Sequence, residues 1–384
     1  MSVTSAKGFR AAGVAAGLKS TGAPDVALVL NDGPLDAAAA VFTSNRFPAA
    51  PVVWSRQVLA DQRVRAVLLN SGGANACTGP DGFADTHRTA EQVAAQLQIG
   101  AGEVVVCSTG LIGVRLPMTE LLAGVDTATG ALTATGGADA AEAIRTTDTR
   151  AKTAAVTHPD GWTVGGMAKG AGMLAPGMAT MLCVLTTDAV VEPGPLDTAL
   201  RDATGLTFDR VDSDGCMSTN DTVVLLASGA SNVAPDPAAF AAAVHDVCRD
   251  LALQLLADAE GASKDVTIDV RNARTEAEAL DVARTVSRSN LLKCALYGND
   301  PNWGRVLSAI GTTDAAFESD LVDVAINGVG VCVGGAAGAD RDLVDLSGRA
   351  VTIDIDLHAG SAHAWVWTND LTHDYVEENS AYSS

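Results

Sequence analysis

The sequence predicts an α/β or α+β fold with layered sheets, and three observations point there. Short apolar runs rich in Val, Ile and Leu alternate with helical patterns along all 384 residues. Several of those runs are apolar on both faces, as central strands are. No fixed-period repeat and no low-complexity linker interrupts the alternation. Length alone suggests two to three domains, at roughly 150 residues each.

Taken in order, strands are predicted over 25–30, 51–55, 65–70, 103–108, 180–187, 222–228, 266–270, 321–326, 351–357 and 362–368. Helices are predicted over 86–97 and 195–203. Two more are marked by their starts. Asp236 followed by Pro237 gives an N-cap with proline at the first helical position. Phe240, Val244, Val247, Leu251 and Leu255 then recur at three- and four-residue spacing, as one apolar stripe. Thr275 with Glu278 forms a capping box ahead of Ala279, Val282, Val286 and Leu291.

Hydrophobic residues make up 47% and charged residues 18%, enough apolar material for a buried core and too much for extended disorder. The net charge of −21 repels phosphate backbones and anionic lipid, and no run of Lys or Arg offsets it. Nucleic acid and membrane surfaces are therefore not expected partners. No stretch of about 18 apolar residues is present, so no transmembrane helix is expected. The run 11–18 after Lys7 and Arg10 is short and contains Gly13 and Gly17, and it reads as ordinary chain rather than a signal peptide. Seven cysteines, with no CxxC pair, argue against a disulfide framework and against a zinc–cysteine site. Most should be small buried hydrophobes in a reducing cytoplasm. The six histidines form no HExxH, and His358 and His363 have no third ligand at metal-binding spacing, so no metal is expected.

Glycine clusters beside several predicted strands, at 72–73, 110–113, 165–177, 298–304 and 328–338. None is a phosphate loop, and Gly328-Val-Gly330 lacks the following helix that a dinucleotide fingerprint needs. The segment 169–188, KGAGMLAPGMATMLCVLTTD, opens glycine-rich and becomes a predicted strand at Thr180. From the residues alone, Thr180 reads as a β-branched residue that packs well at a strand start. Lys169 and Glu260 read as solvated charges, and 108–110 as a strand turning into a loop.

The segment 169–188 closely resembles the autoprocessing segment of the ornithine acetyltransferases, the ArgJ-type bifunctional glutamate N-acetyltransferases of arginine biosynthesis. The likeness runs over about residues 5–384. It includes NSGGANACTG at 70–79, STGLIGVRLP at 108–117, TTDT at 146–149, SDGCMSTNDT at 213–222, EGASK at 260–264, GNDPNWGR at 298–305 and the tail 379–384. The resemblance implies a sandwich of sheets covered by helices, of the DmpA/ArgJ-like kind, that cuts itself into two chains. It places the cut between Ala179 and Thr180. Residues 1–179 would form the α chain and 180–384 the β chain, sharing one core, with a smaller C-terminal α/β part.

The same resemblance implies the chemistry. The Thr180 hydroxyl would attack the Ala179 carbonyl, and hydrolysis of the resulting ester would free the Thr180 α-amine. That amine, with a reference pKa of about 7.7–8.0, could serve as general base for its own hydroxyl. Thr180 would then carry acetyl from N2-acetylornithine to glutamate. Thr109, through its hydroxyl, and Gly110, through its backbone N–H, would form the oxyanion hole. Thr147, Lys169, Thr180, Glu260, Asn379 and Ser384 match the family's substrate-binding positions, with Thr146 adjacent to Thr147. Lys169 could pair with an α-carboxylate and Glu260 with an ammonium. No cofactor is implied, although acetyl-CoA can be a co-substrate in some members, and an α2β2 heterotetramer is expected. Two positions depart from the usual pattern. Gly177 stands where many relatives have Asn, which bears on the rate of self-cleavage, and Ser384 stands where Thr is usual. Two other enzyme readings use the same Thr180: an N-terminal-nucleophile amidohydrolase or aminopeptidase of the same fold group, and an acetyltransferase of a secondary-metabolite pathway. An uncleaved scaffold with a vestigial site is the reading from another class, and the intact Lys169, Ala179, Thr180 and Thr109-Gly110 argue against it.

Overall fold

The run FRAAGV opens the first strand, β1 (Phe9–Val14), which pairs antiparallel with β2 (Val26–Asn31). Next come β3 (Ala37–Phe42), α1 (Ala50–Val58), β4 (Ala66–Asn70), α2 (Gly79–Leu97) and β5 (Val104–Ser108). After α3 (Met118–Gly130) and α4 (Gly137–Ala143), the chain forms the hairpin of β6 (Lys152–Thr157) and β7 (Thr163–Lys169). The computed structural model describes residues 1–174 and 181–381. The chain is next described from Met181, and enters β8 (Leu182–Thr187), α5 (Pro193–Leu206), β9 (Thr222–Ala227) and α6 (Pro237–Ala257). The last part holds β10 (Asp265–Ala273), α7 (Glu276–Ser287), α8 (Asn290–Tyr297), α9 (Trp303–Ile310), β11 (Asp323–Ile326), β12 (Val329–Val333), β13 (Ala336–Ala337), β14 (Ala350–Asp356), β15 (Ala362–Asn369) and α10 (His373–Ala381).

The described strands form three sheets, in the orders β1-β2-β4-β5, β3-β9-β8-β7-β6 and β13-β12-β11-β14-β10-β15. The first two are buried on both faces and stack on each other. Phe9, Val29, Leu69 and Val105 of the first meet Ala38, Met167, Val184 and Leu226 of the second. The outer face of the first sheet, with Leu28 and Leu68, is covered by Val93 of α2 and Leu121 and Val125 of α3. The outer face of the second, with Cys183, Leu185 and Leu225, is covered by Leu200 of α5 and Val247 and Leu251 of α6. The result is four layers, helix–sheet–sheet–helix, which is the predicted sandwich. The third sheet lays Ile268, Ile353 and Val366 against Val282 and Val286 of α7 and Val306 of α9, giving the smaller C-terminal α/β part.

The second sheet joins the parts on either side of residues 179 and 180. β7 pairs with β8, with Lys169 opposite Leu182, and β3 pairs with β9, with Phe42 opposite Thr222. Each half of the chain thus supplies strands that the other half completes.

One predicted strand is corrected. Residues 51–55 lie in α1, not in a strand. Pro51 sits in its first turn, where a missing N–H is harmless. Val52, Ser55 and Val58 are buried at three-residue spacing, a helical face that the adjacent valines disguise. The α7 stripe also ends sooner than predicted. Its helix stops at Ser287, Ser289 caps α8, and Leu291 is exposed. Of the cysteines, Cys107, Cys183, Cys248 and Cys332 are buried, Cys77, Cys216 and Cys294 are exposed, and all are free thiols. Gly328 lies in the turn between β11 and β12. His358 and His363 pair with different aspartates, Asp323 and Asp269. Among the described residues no helix is long and apolar enough to cross a membrane.

Candidate active site

β5 ends at Ser108, and the next two residues turn away under tight constraint. Thr109 N–H donates to the Asn70 carbonyl at 3.0 Å, and Asn70 Nδ2 donates to Ser108 Oγ at 2.7 Å. Thr109 also bridges Gly73. Gly110 has φ +133°, and a Cβ there would stand 2.9 Å from the Gly73 backbone. Only glycine fits such a position. Among the described residues, the Gly110 N–H has no hydrogen-bond partner. It is a free donor beside the Thr109 side chain.

Lys169 ends β7 and is 1% exposed, so it is not a solvated charge. Its Nζ donates to Thr109 Oγ1 and to Thr146 Oγ1, each at 3.0 Å. Behind it lies a buried ionic group. Asp148 Oδ1 accepts from Lys152 Nζ at 2.6 Å and from Gly170 N–H at 2.7 Å, and its Oδ2 accepts from Thr146 N–H at 3.0 Å. Lys152 Nζ also donates to Asp258 Oδ2 at 2.5 Å, and Asp258 in turn holds Thr149. Burial pushes the Asp148 carboxyl up, but Lys169, Lys152 and the Gly170 amide together bring it down to about 2. Burial pushes the Lys169 ammonium below its ordinary value, against the attraction of Asp148 and Asp221.

The facing wall is more open. Thr147 Oγ1 donates to Glu260 Oε1 at 2.6 Å, and Asn379 Nδ2 of α10 donates to Glu260 Oε2 at 3.1 Å. Gly172 lies under this carboxylate, and a Cβ there would stand 2.4 Å from Glu260 Oε2. Thr109, Gly110, Thr146, Thr147, Lys169, Asn220, Glu260 and Asn379 line one cleft of about 150 Å³. Thr147 and Glu260 separate it from a second cavity of about 580 Å³, which is bordered by Asp258, Asp374 and Glu378. Burial raises the Glu378 carboxyl, helped by the negative charges of Glu260, Asp374 and Asp258. That crowding of carboxylates favours a cation.

Ala179, Thr180, Gly177 and Ser384 lie outside the described residues, but both flanks of 175–180 are anchored. On one side, Leu174 O accepts from Ser213 and Asp214 N–H, Met173 N–H donates to Asp214 at 2.7 Å, and Ala171 O accepts from Glu260 N–H. Burial lifts Asp214 to about 6, against the N–H bonds that its carboxylate accepts from Cys216 and Met173. On the other side, Met181 N–H donates to Asp221 Oδ1 at 3.1 Å. Asp221 is fully buried, which raises its carboxyl well above the usual range. Its neighbour Asn220 donates from Nδ2 to the carbonyls of Ala74 at 2.6 Å and Ser108 at 2.8 Å. Asn220 and Asp221 therefore tie the strand after Thr180 to the loop carrying Thr109 and Gly110.

The structure thus gathers Thr109, Gly110, Thr147, Lys169, Glu260 and Asn379 around one cleft. Thr146 and Thr147 both line it, with different partners. Asp148, Asn220 and Asp221 lay inside the motifs that carry the resemblance, without a role. Lys152 had no signal, since a lysine opening a strand reads as surface.

The family model described as the ArgJ family matches residues 10–384. The arginine biosynthesis bifunctional protein ArgJ of Streptomyces coelicolor is 67% identical over 384 residues, covering 100% of both chains. A solved structure of arginine biosynthesis bifunctional protein ArgJ from Bacillus halodurans is 37% identical, with a TM-score of 0.50, covering 52% of this chain and 98% of that one. A solved ornithine acetyltransferase from Mycobacterium tuberculosis, complexed with ornithine, is 63% identical with a TM-score of 0.45, covering 46% of this chain and 94% of that one.

Proposed function

This chain belongs to the ArgJ family, and on that premise we propose that it transfers the acetyl group of N2-acetyl-L-ornithine to L-glutamate through an acetyl-Thr180 intermediate. The observation that carries the reading is the pairing of Lys169 with Leu182 across β7 and β8. It sets the backbone two residues beyond Thr180 opposite the lysine that touches Thr109. The pairing supports a reading in which the strand after Thr180 and the Thr109–Gly110 loop act in one frame.

The precursor first cuts itself. The Thr180 hydroxyl adds to the Ala179 carbonyl, the peptide C–N bond breaks, and the acyl group moves to oxygen. Water then hydrolyses that ester, leaving a carboxylate on Ala179 and an α-amine on Thr180. In support, 52% of this chain suffices to cover 98% of the Bacillus halodurans chain. That length relation is the one expected when such a precursor is cut near its middle. Because β7 pairs with β8 and β3 with β9, chains 1–179 and 180–384 stay together, and they assemble as an α2β2 heterotetramer.

In the first half-reaction the Thr180 oxygen attacks the acetyl carbonyl of N2-acetylornithine, and the Thr180 amine takes the hydroxyl proton. The tetrahedral oxyanion receives the Gly110 N–H and the Thr109 hydroxyl. Collapse returns the proton to the departing nitrogen, and ornithine leaves. Glutamate's amine then attacks the acetyl ester, and N-acetylglutamate leaves with the Thr180 hydroxyl restored. Glu260, steadied by Thr147 and Asn379, faces the cationic end of the substrate, with Ser384 completing the pocket. The scheme calls for no cofactor. Were acetyl-CoA to serve as a co-substrate, as in some members of the family, it would acylate the same hydroxyl. The free thiols fit a cytoplasmic enzyme.

Initial-rate kinetics test this reading. Parallel double-reciprocal lines for N-acetylornithine and glutamate are expected. Intersecting lines without an acetyl adduct would replace it with direct transfer in a ternary complex.

A further inference from the structure

We propose that Lys169 is a positioning residue of the oxyanion hole, which acts by orienting the Thr109 hydroxyl rather than by pairing with a substrate carboxylate; the inference rests on the acyl-transfer reading above. The chemistry of the two groups fixes the direction of their contact. An ammonium has three donors and no acceptor, while a hydroxyl has one hydrogen and two lone pairs. At 3.0 Å, the protonated Lys169 Nζ donates and Thr109 Oγ1 accepts. The hydrogen of Thr109 is then directed elsewhere, and among the described residues nothing accepts it. It is left for an oxygen in the cleft.

The lysine is held for this task. A second donor is committed to Thr146 Oγ1 at 3.0 Å, and the Thr146 backbone is fixed by Asp148. Thr109 is 2% exposed and Lys169 1%, so neither side chain is free to swing toward solvent. The contact leaves the ammonium one atom behind the donor hydrogen, where its charge polarises the O–H toward a developing negative oxygen. Such preorganised charge acts strongly where water is excluded. With two of its three donors committed to hydroxyls, the ammonium has at most one left for a carboxylate.

The test is a double-mutant cycle on the processed enzyme. Lys169→Met, Thr109→Ala and the double variant are assayed for kcat and for KM of N-acetylornithine and glutamate. Lys169→Met should lower kcat roughly 10²–10³-fold, as loss of an oxyanion donor does, with both KM values within about threefold. In the Thr109→Ala background the same change should cost less than about threefold more, because its target is gone. A KM rise that is equal in both backgrounds, with kcat preserved, would make Lys169 a carboxylate anchor and overturn the proposal. If Thr109→Ala keeps the parent kcat, the oxyanion assignment itself fails instead. Should Lys169→Met not fold, the pH profile of the parent decides. Asp148, Asp221, Lys152 and Glu260 face the ammonium. A neutral amine can accept the Thr109 hydrogen, so kcat should fall at high pH, on a limb set below an ordinary lysine. That limb should vanish in Thr109→Ala, and its persistence there would contradict the proposal.

Discussion

The wall of the cleft that carries Thr109, Gly110 and Lys169 is made from strand ends, whereas the wall that carries Thr147, Glu260 and Asn379 is made from loops and the last helix. The first is buried, and its charges are matched inward by Asp148, Lys152 and Asp258. The second is half open, and its carboxylates crowd one another. A transition state needs donors fixed to a fraction of an ångström, which strand ends supply. On the proposed function, two substrates, one cationic and one anionic in its side chain, would share one pocket and need a wall that can adjust. Substitutions on the first wall should therefore lower kcat, and those on the second should raise KM.

The largest effect tests whether the walls serve a covalent intermediate at all. Thr180→Ala should abolish transfer and leave one chain of 38.9 kDa, where the parent should show chains of about 18 and about 21 kDa by their share of residues. Denaturing electrophoresis checks this, and cleavage at the same bond in the variant would remove Thr180 from its role.

Gly110→Ala comes next. It forces a side chain onto φ +133° and against Gly73, so it displaces the free N–H. Turnover should fall roughly 10²–10³-fold with KM little changed. An unaltered kcat would break the distinction between the walls.

On the open wall, Glu260→Gln should raise KM for N-acetylornithine about tenfold, the loss of about 1.4 kcal/mol of ion pairing, while kcat changes less. A drop confined to kcat would place Glu260 in the chemistry instead.

The smallest effect concerns the buried charges. The Asp148 carboxyl is lowered to about 2 from an unfolded value of 3.8. Its contribution to stability is complete above the unfolded value and is lost as pH falls from there through about 2. Thermal midpoints of the parent and Asp148→Asn should differ at pH 6 and converge as pH falls toward about 2. A constant gap would show that the ionic group acts by shape alone.

The sandwich was legible because Val- and Leu-rich strands such as 65–70 and 222–228 stay apolar on both faces. β3 and β7 were not, because AAAAVF and TVGGMAK carry small residues in place of the β-branched residues that mark strands. The site residues were legible through motifs, which name positions but not partners. Nothing in the spacing of Thr109, Thr146 and Lys169 says that one ammonium joins both hydroxyls. That contact depends on β5 and β7 lying in different stacked sheets, a long-range fact that local patterns do not encode. Lys152 was hidden in part for the same reason, since its partner Asp258 is 106 residues away.

Mass spectrometry of the processed enzyme incubated with N-acetylornithine and no glutamate tests the covalent route most directly. The account predicts a gain of about 42 Da, one acetyl group, on the chain that begins at Thr180, located on that residue by peptide mapping and discharged when glutamate is added. An unmodified 180–384 chain, or an acetyl group that water removes as fast as glutamate does, would contradict it.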